Sequence, residues 1–436
     1  MDSHPLIELV RLQKKGVPAG IYSVCSANEL VIEAVMDRAK AGGGPVLIEA
    51  TANQVNQYGG YTGMKPADFR DFVFSIAEKR GFPRNRIILG GDHLGPLTWK
   101  DLPSEKAMEE SKELIRQFVQ AGFTKIHLDT SMYLADDDKG KKLDTGVIAK
   151  RGAELCETAE KAFTILQSAE PMALHPVYVV GSEVPIPGGS QEEEEGLQVT
   201  RASAFEETVS VFKKAFHDLG LHDAWEQVMA IVVQPGVEFG DESIHAYNRE
   251  AAGELTEALK KYPNLVFEGH STDYQTPVAL KQMVEDGIAI LKVGPALTFA
   301  LREALFALCM IEKELSGDSR DVEPSGFIDV LEAEMLRHPE NWKKHYHGDE
   351  GKLRLARKYS LSDRCRYYLP VNEVNLSINR LMDNLSRTPI PLTLLSQYMP
   401  VQYAKVRSGT LANDPLSLAK DRVINCIDEY LYATKP

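Results

Sequence analysis

Between Pro18 and Leu297 short apolar runs alternate with longer amphipathic stretches, and the rhythm repeats until eight runs have passed. Residues 20–25, 46–51, 87–91, 125–129, 172–180, 228–233, 265–268 and 289–293 are too short for core helices and rich in β-branched side chains, so they read as strands. Several are apolar without alternation, as in parallel strands covered on both faces by helices. Residues 28–41, 65–79, 105–120, 145–167, 204–219, 250–262 and 277–286 carry helical spacing. Pro66 suits a first helical turn, and Gly81, Gly122, Gly220 and Gly287 suit helix stops. Eight strand–helix units predict an α/β fold, the (β/α)8 TIM barrel, with a doubly wound open sheet as the alternative topology.

Beyond Ala300 the strand rhythm stops. Residues 302–314 suit the helix after the eighth strand, and 327–337, 353–361, 371–387 and 415–431 read as further helices. The expected organisation is a barrel with catalytic-face loops over 1–315 and a helical C-terminal extension packed on it over 316–436, a surface that could support a homo-oligomer. Two connections, 131–145 and 181–201, are longer than a compact barrel needs, and such loops usually carry function. The acidic block Glu192–Glu195 within the second reads as a solvated tip.

The net charge of −14 argues against a general binder of nucleic acid or anionic membrane, though not against a local phosphate site. The 5 cysteines are dispersed without a C-x-x-C pair, which argues against a disulfide framework or zinc cluster. Residues 1–12 mix charges and lack the apolar core of a signal peptide, so a cytoplasmic location is expected.

In such a barrel the C-terminal strand ends converge on one face. Here they present Glu49 and Thr51, then Asp92-His93, then His127 and Asp129. The fifth run holds His175 and leads to Glu183, the sixth to Gln234 and Glu238, the seventh to Glu268, His270, Ser271, Thr272 and Asp273, and the eighth carries Lys292 before Gly294. Charged groups are rarely buried without partners, so this concentration predicts a site. His93, Glu183 and His270 can offer nitrogen and oxygen ligands to a divalent metal. The loops at Ser271-Thr272 and Gly294 follow the last two strands, where barrel enzymes often bind phosphate. Lys292 admits a Schiff-base route if its pKa is lowered. There is no P-loop string, and Gly42-Gly43-Gly44 precedes a strand, so no nucleotide signature is present.

Five strings occur in order: Gly91-Asp92-His93-Leu94-Gly95-Pro96, Lys125-Ile126-His127-Leu128-Asp129-Thr130-Ser131, Gly181-Ser182-Glu183-Val184-Pro185, Val233-Gln234-Pro235-Gly236-Val237-Glu238, and Glu268-Gly269-His270-Ser271-Thr272-Asp273. Together the chain resembles the tagatose-bisphosphate aldolase subunit family of the GatZ/KbaZ type over nearly its whole length. Members carry the labels tagatose 6-phosphate kinase, non-catalytic aldolase subunit and tagatose-6-phosphate 4-epimerase. The resemblance implies a class II aldolase-like barrel with a divalent metal ion (Zn, Mn or Mg) held by His93, Glu183, Gln234 and His270. Gln234 stands where the aldolases have a histidine, and its amide is a weaker, harder donor that disfavours zinc. The resemblance also implies proton transfer by Asp92, Asp129 and Glu183, and substrate or phosphate contacts from Glu49, Ser271, Thr272, Asp273, Lys292 and Gly294. The implied activity is 4-epimerisation between tagatose 6-phosphate and fructose 6-phosphate in carbohydrate catabolism. The alternative is a non-catalytic subunit that stabilises a class II tagatose-1,6-bisphosphate aldolase chain.

Overall fold

A computed structural model describes residues 4–185, 197–316, 323–387 and 389–436. Its eight long-paired strands are β1 (Ile21–Val24), β2 (Val46–Thr51), β3 (Ile87–Leu94), β4 (Lys125–Leu128), β5 (Val177–Val180), β6 (Val228–Val233), β9 (Val266–Gly269) and β10 (Ile288–Val293). All pair in parallel, and β1 closes onto β10 to complete a barrel. Between β6 and β9, β7 (Glu238–Phe239) and β8 (Ile244–His245) form a short antiparallel ribbon.

The barrel interior holds Ile21, Leu47, Ile88, Val177, Val179, Val266 and Ile290. At its N-terminal end helix α1 (Pro5–Lys14) adds Leu6, Leu9 and Val10 to the same cluster, a plug that the strand rhythm did not announce. The larger apolar cluster lies between the strands and the surrounding helices α2 (Glu29–Gly42), α3 (Pro66–Arg80), α4 (Ser104–Gln120), α5 (Thr145–Ala169), α6 (Ala202–Asp218), α7 (His222–Trp225), α8 (Gly253–Leu259), α9 (Pro277–Glu285) and α10 (Pro295–Ser316).

One strand expectation needs correcting. The run 172–180 pairs only from Val177, while Met172 is 93% exposed. Pro176 lacks the N–H needed to enter the ladder. His175 therefore precedes β5, at the N-terminal end of the barrel, where it contacts Glu160 of α5 at 3.2 Å.

After α10 come α11 (Phe327–Arg337), α12 (Glu350–Tyr359), α13 (Asn372–Ser386), α14 (Leu392–Tyr398), α15 (Pro400–Arg407) and α16 (Pro415–Thr434). Helix α16 packs along α2, α9 and α10. Lys420 bridges Glu33 (3.2 Å) and Asp37 (2.9 Å), and the Thr434 carbonyl accepts from Gly20 N–H at 3.1 Å beside β1. Tyr430 OH donates to the Thr272 carbonyl at 2.9 Å, so the extension reaches a strand-end loop of the barrel. No described helix is long and apolar enough to cross a membrane. The Glu192–Glu195 block lies outside the described residues.

Candidate active site

Alternation along each strand turns every second side chain into the barrel. Glu49 of β2, Lys125 of β4, Glu268 of β9 and Lys292 of β10 thereby meet across the lumen. Lys125 Nζ lies 2.6 Å from Glu268 and 2.8 Å from Glu49; Lys292 pairs with Glu49 and, at 3.0 Å, with Asp92. Asp92 Oδ1 in turn contacts His127 Nδ1 at 2.9 Å. Glu49 has this room because Gly90 stands opposite it in register: a Cβ there would lie 2.7 Å from Glu49 Cγ. Lone charges at this depth would cost several kcal/mol each, and alternating signs offset that cost.

Above this chain lies the Asp92-His93 pair at the end of β3, just before Leu94. Gly95 lets the turn press onto β4, since a Cβ there would lie 1.7 Å from the Asp129 carbonyl oxygen. His93 adopts φ 48° and Ser271 φ 53°, conformations that cost L-residues about 1–2 kcal/mol and that aim both side chains at the mouth. His93 Nδ1 lies 2.8 Å from Asp129 Oδ2, and Asp129 is itself held by Ser131 Oγ at 2.7 Å. His270 Nε2 lies 3.0 Å from Glu268 Oε1. With both carboxylates ionised, each histidine donates through that nitrogen. The remaining nitrogens, His93 Nε2 and His270 Nδ1, then face each other at 3.1 Å. Two lone pairs cannot face each other so closely; a proton or a cation must lie between them.

The electrostatics agree. Burial would raise Asp92, but His93, Lys292 and His127 outweigh it and hold the carboxyl well below the usual range. Asp129 falls to about 2, because its bond to His93 overcomes burial. Burial disfavours a charged His93, yet Asp92 and Asp129 raise it, while burial and the neighbouring His93 lower His270 to about 4. Lys292 is raised well above its ordinary value despite burial, because Asp92 and Glu49 hold its proton. A protonated, ion-paired amine does not attack a carbonyl, so the Schiff-base route is set aside.

The donor set suits a divalent cation. The ligand atoms of Asp92, His127, Glu268 and His270 lie within 4.8 Å of one another. His127 Nε2 is buried without a hydrogen-bond partner among the described residues, while its Nδ1 lies 2.9 Å from Asp92 Oδ1 and 3.2 Å from the His93 backbone N–H. With neutral histidines, the carboxylates of Glu49, Asp92, Asp129 and Glu268 exceed the ammonium groups of Lys125 and Lys292 by two charges.

Of the residues expected from sequence, the structure brings Glu49, Asp92, His93, Asp129, His270 and Lys292 together. It leaves two proposed ligands elsewhere. Glu183 pairs with Lys142 at 3.4 Å and lines a separate cleft with Arg201 and Glu207. Gln234 Oε1 is consumed by its own turn, accepting from Gly236 N–H (2.8 Å) and Val237 N–H (3.0 Å). The phosphate expectation also changes at the β10 loop. Asp273 already accepts the Gly294 and Ala296 N–H groups at 3.0 and 2.8 Å, and burial pushes its carboxyl up to about 6. Thr272 Oγ1 is likewise spent on the Lys292 carbonyl at 2.6 Å, whereas Ser271 lines the cleft above the cluster. Lys125 was not singled out from the sequence, although a lysine opening an apolar strand two residues before His127 was a usable signal. Tyr61, Arg366 and Tyr367 also line this cleft, and no local signal marked them.

Similarity to known proteins runs the length of the chain. A crystal structure of a probable tagatose 6-phosphate kinase from Sinorhizobium meliloti 1021 aligns with a TM-score of 0.86 and 46% identity, covering 95% of this chain and 100% of that one. The YdjI aldolase from Escherichia coli K12 aligns with a TM-score of 0.42 and 13% identity over 85% of this chain and 96% of that one. The family model described as D-tagatose-1,6-bisphosphate aldolase subunit GatZ/KbaZ-like matches residues 6–435. With a match of that extent, the chain belongs to the GatZ/KbaZ-like family.

Proposed function

We propose that the protein is a 4-epimerase interconverting tagatose 6-phosphate and fructose 6-phosphate by retro-aldol cleavage and re-addition. The observation that carries this reading is the meeting of Asp92, His93, His270 and Lys292 at one cleft. Direct removal of the C4 hydrogen is chemically unfavourable, because C4 is not adjacent to the C2 carbonyl. Breaking C3–C4 avoids that difficulty. Asp92 accepts the proton of the C4 hydroxyl, O4 becomes an aldehyde oxygen, and the bonding electrons pass to C3 of the three-carbon enediolate. Lys292, 3.0 Å from Asp92, keeps a positive charge beside the developing oxyanion. The aldehyde then presents its other face, C3 re-forms the bond, and Asp92 returns the proton to O4. No atom or electron is gained or lost.

Asp129 acts on this reading by holding His93, and Glu268 by holding His270. His127 and His270, with the Asp92 and Glu268 carboxylates beside them, would hold a divalent ion such as zinc, manganese or magnesium. Such an ion would supply Lewis acidity toward the ketone oxygen. Water exclusion follows from burial: Asp92 and His93 are each 3% exposed.

The test is to incubate the purified protein, with and without added divalent metal, with fructose 6-phosphate and to follow tagatose 6-phosphate. Conversion is expected, falling by about 100-fold or more in Asp92→Ala and His270→Ala. Full activity in either variant would refute the site. Absence of conversion, together with stabilisation of a separate aldolase chain, would establish the non-catalytic subunit reading instead.

A further inference from the structure

One wall of the cleft does not come from the barrel. Arg366 and Tyr367 belong to the short 3-10 turn Arg364–Tyr367 after α12, yet they line the same cleft as Asp92, His93, His270 and Lys292. The turn is firmly held. Asp363, at φ 46°, accepts from Thr298 Oγ1 at 2.6 Å and Arg302 Nε at 2.9 Å, both on α10. Ser360 and Ser362 donate to Asp241 at 2.9 and 3.0 Å, and Tyr274 OH donates to the Leu361 carbonyl. Arg366 is therefore delivered to the mouth by rigid neighbours.

Its guanidinium is unusual in its partners. Nη1 donates to the Ser362 and Asp363 carbonyls, and Nη2 to Tyr367 OH at 3.1 Å; no ion pair with a carboxylate forms among the described residues. Arg366 is half-buried, and of the buried arginines, Arg151, Arg302 and Arg357 each have such a pair. Arg364 on the same turn also bonds only a carbonyl, that of Asn341 at 2.8 Å. A protein of net charge −14 thus places a guanidinium with no direct carboxylate ion pair at the rim of its reactive cluster. Meanwhile the start of α10, where an anion would ordinarily be received after the last barrel strand, is filled by the Asp273 carboxylate.

We propose that Arg366, flanked by the Tyr61 and Tyr367 rings, receives the phosphate group of the ketose phosphate, in place of the backbone amides at the start of α10. Tyr367 OH accepts from the guanidinium, and the Tyr61 ring meets the Tyr367 ring edge to face at 4.8 Å on the same wall of the cleft. Bidentate pairing with phosphate oxygens would give the guanidinium the direct anionic partner it lacks. This inference rests on the sugar-phosphate reading above, and the extension becomes part of the binding site rather than a support.

The experiment measures epimerisation kinetics and inorganic phosphate binding by calorimetry for the full-length protein, Arg366→Met, Arg366→Lys and Tyr61→Phe. Arg366→Met is expected to raise KM for the phosphorylated ketose by about 10- to 100-fold with kcat changed less than about 3-fold. Arg366→Lys should recover part of the loss in KM. Inorganic phosphate should bind the wild type and lose about 10-fold or more in affinity in Arg366→Met. Unchanged KM and unchanged phosphate affinity in Arg366→Met would overturn the proposal while leaving the epimerase reading intact. Should the wild type convert no sugar phosphate, the epimerase reading falls, and the phosphate titration alone decides this one. If circular dichroism shows Arg366→Met unfolded, Arg366→Lys and Tyr61→Phe decide: weakened phosphate binding in either supports the assignment, and wild-type binding in both overturns it.

Discussion

Lys125 is fully buried between two carboxylates, and its charge offsets those of Glu49 and Glu268 inside the barrel. Replacing it by methionine would leave Glu268 without its ammonium partner and Glu49 with Lys292 alone. Lys125→Met should lose about 3–5 kcal/mol of stability in chemical denaturation, the penalty for breaking a buried pair from one side. The double variant Lys125→Met/Glu49→Gln should recover part of it; a Lys125→Met midpoint equal to wild type would show the ion chain to be unimportant. Residues of this kind differ in how far they can be read in advance. Asp92, His93 and His270 were legible because a polar group that directly follows a buried apolar strand must meet either water or a site. Lys125 was not, because its meaning depends on two carboxylates from strands β2 and β9, and their proximity is set by barrel closure.

At the scale of elements, the strand rhythm survived almost unchanged, since eight apolar runs became eight barrel strands. The exceptions have local causes, such as Pro176 delaying β5. Less legible were the docking contacts of α16, which join segments hundreds of residues apart. Asp37 on α2 is the centre of one. Burial would raise its carboxyl, but Arg80 at 2.8 Å and Lys420 at 2.9 Å lower it below its ordinary value. A depressed folded-state pKa contributes stability above the unfolded value of about 3.9, and loses it as pH falls through the folded value. Asp37→Asn is therefore expected to cost about 1 kcal/mol at pH 7. Denaturation midpoints of the two proteins should converge as pH drops below about 4. A gap that is constant from pH 7 to 3 would assign the effect to packing rather than to charge.

The whole molecule is a barrel whose C-terminal extension is built into its wall and its mouth. Leu418, Val423, Ile427 and Tyr430 of α16 are buried against the barrel helices. Each contributes about 2 kcal/mol by removal from water. Deleting residues 415–436 should therefore give a protein that fails to fold cooperatively or aggregates, as read by thermal unfolding and light scattering. A soluble truncated barrel with the wild-type transition would show the extension to be an independent unit.

The alternation of strands and helices, and the chemistry waiting at the strand ends, were already settled in the order of the amino acids. Both are written in short-range periodicity, which survives whatever the rest of the chain does. Which strand ends share a site emerged only in three dimensions. Glu183 and Gln234 follow the fifth and sixth strands, yet Glu183 lines a separate cleft beside Lys142 and Gln234 Oε1 bonds its own turn. Arg366, from a turn with no local signal, is carried in by α10 and Asp241. Convergence across a lumen depends on closure, register and long-range docking, and no window of neighbouring residues contains those.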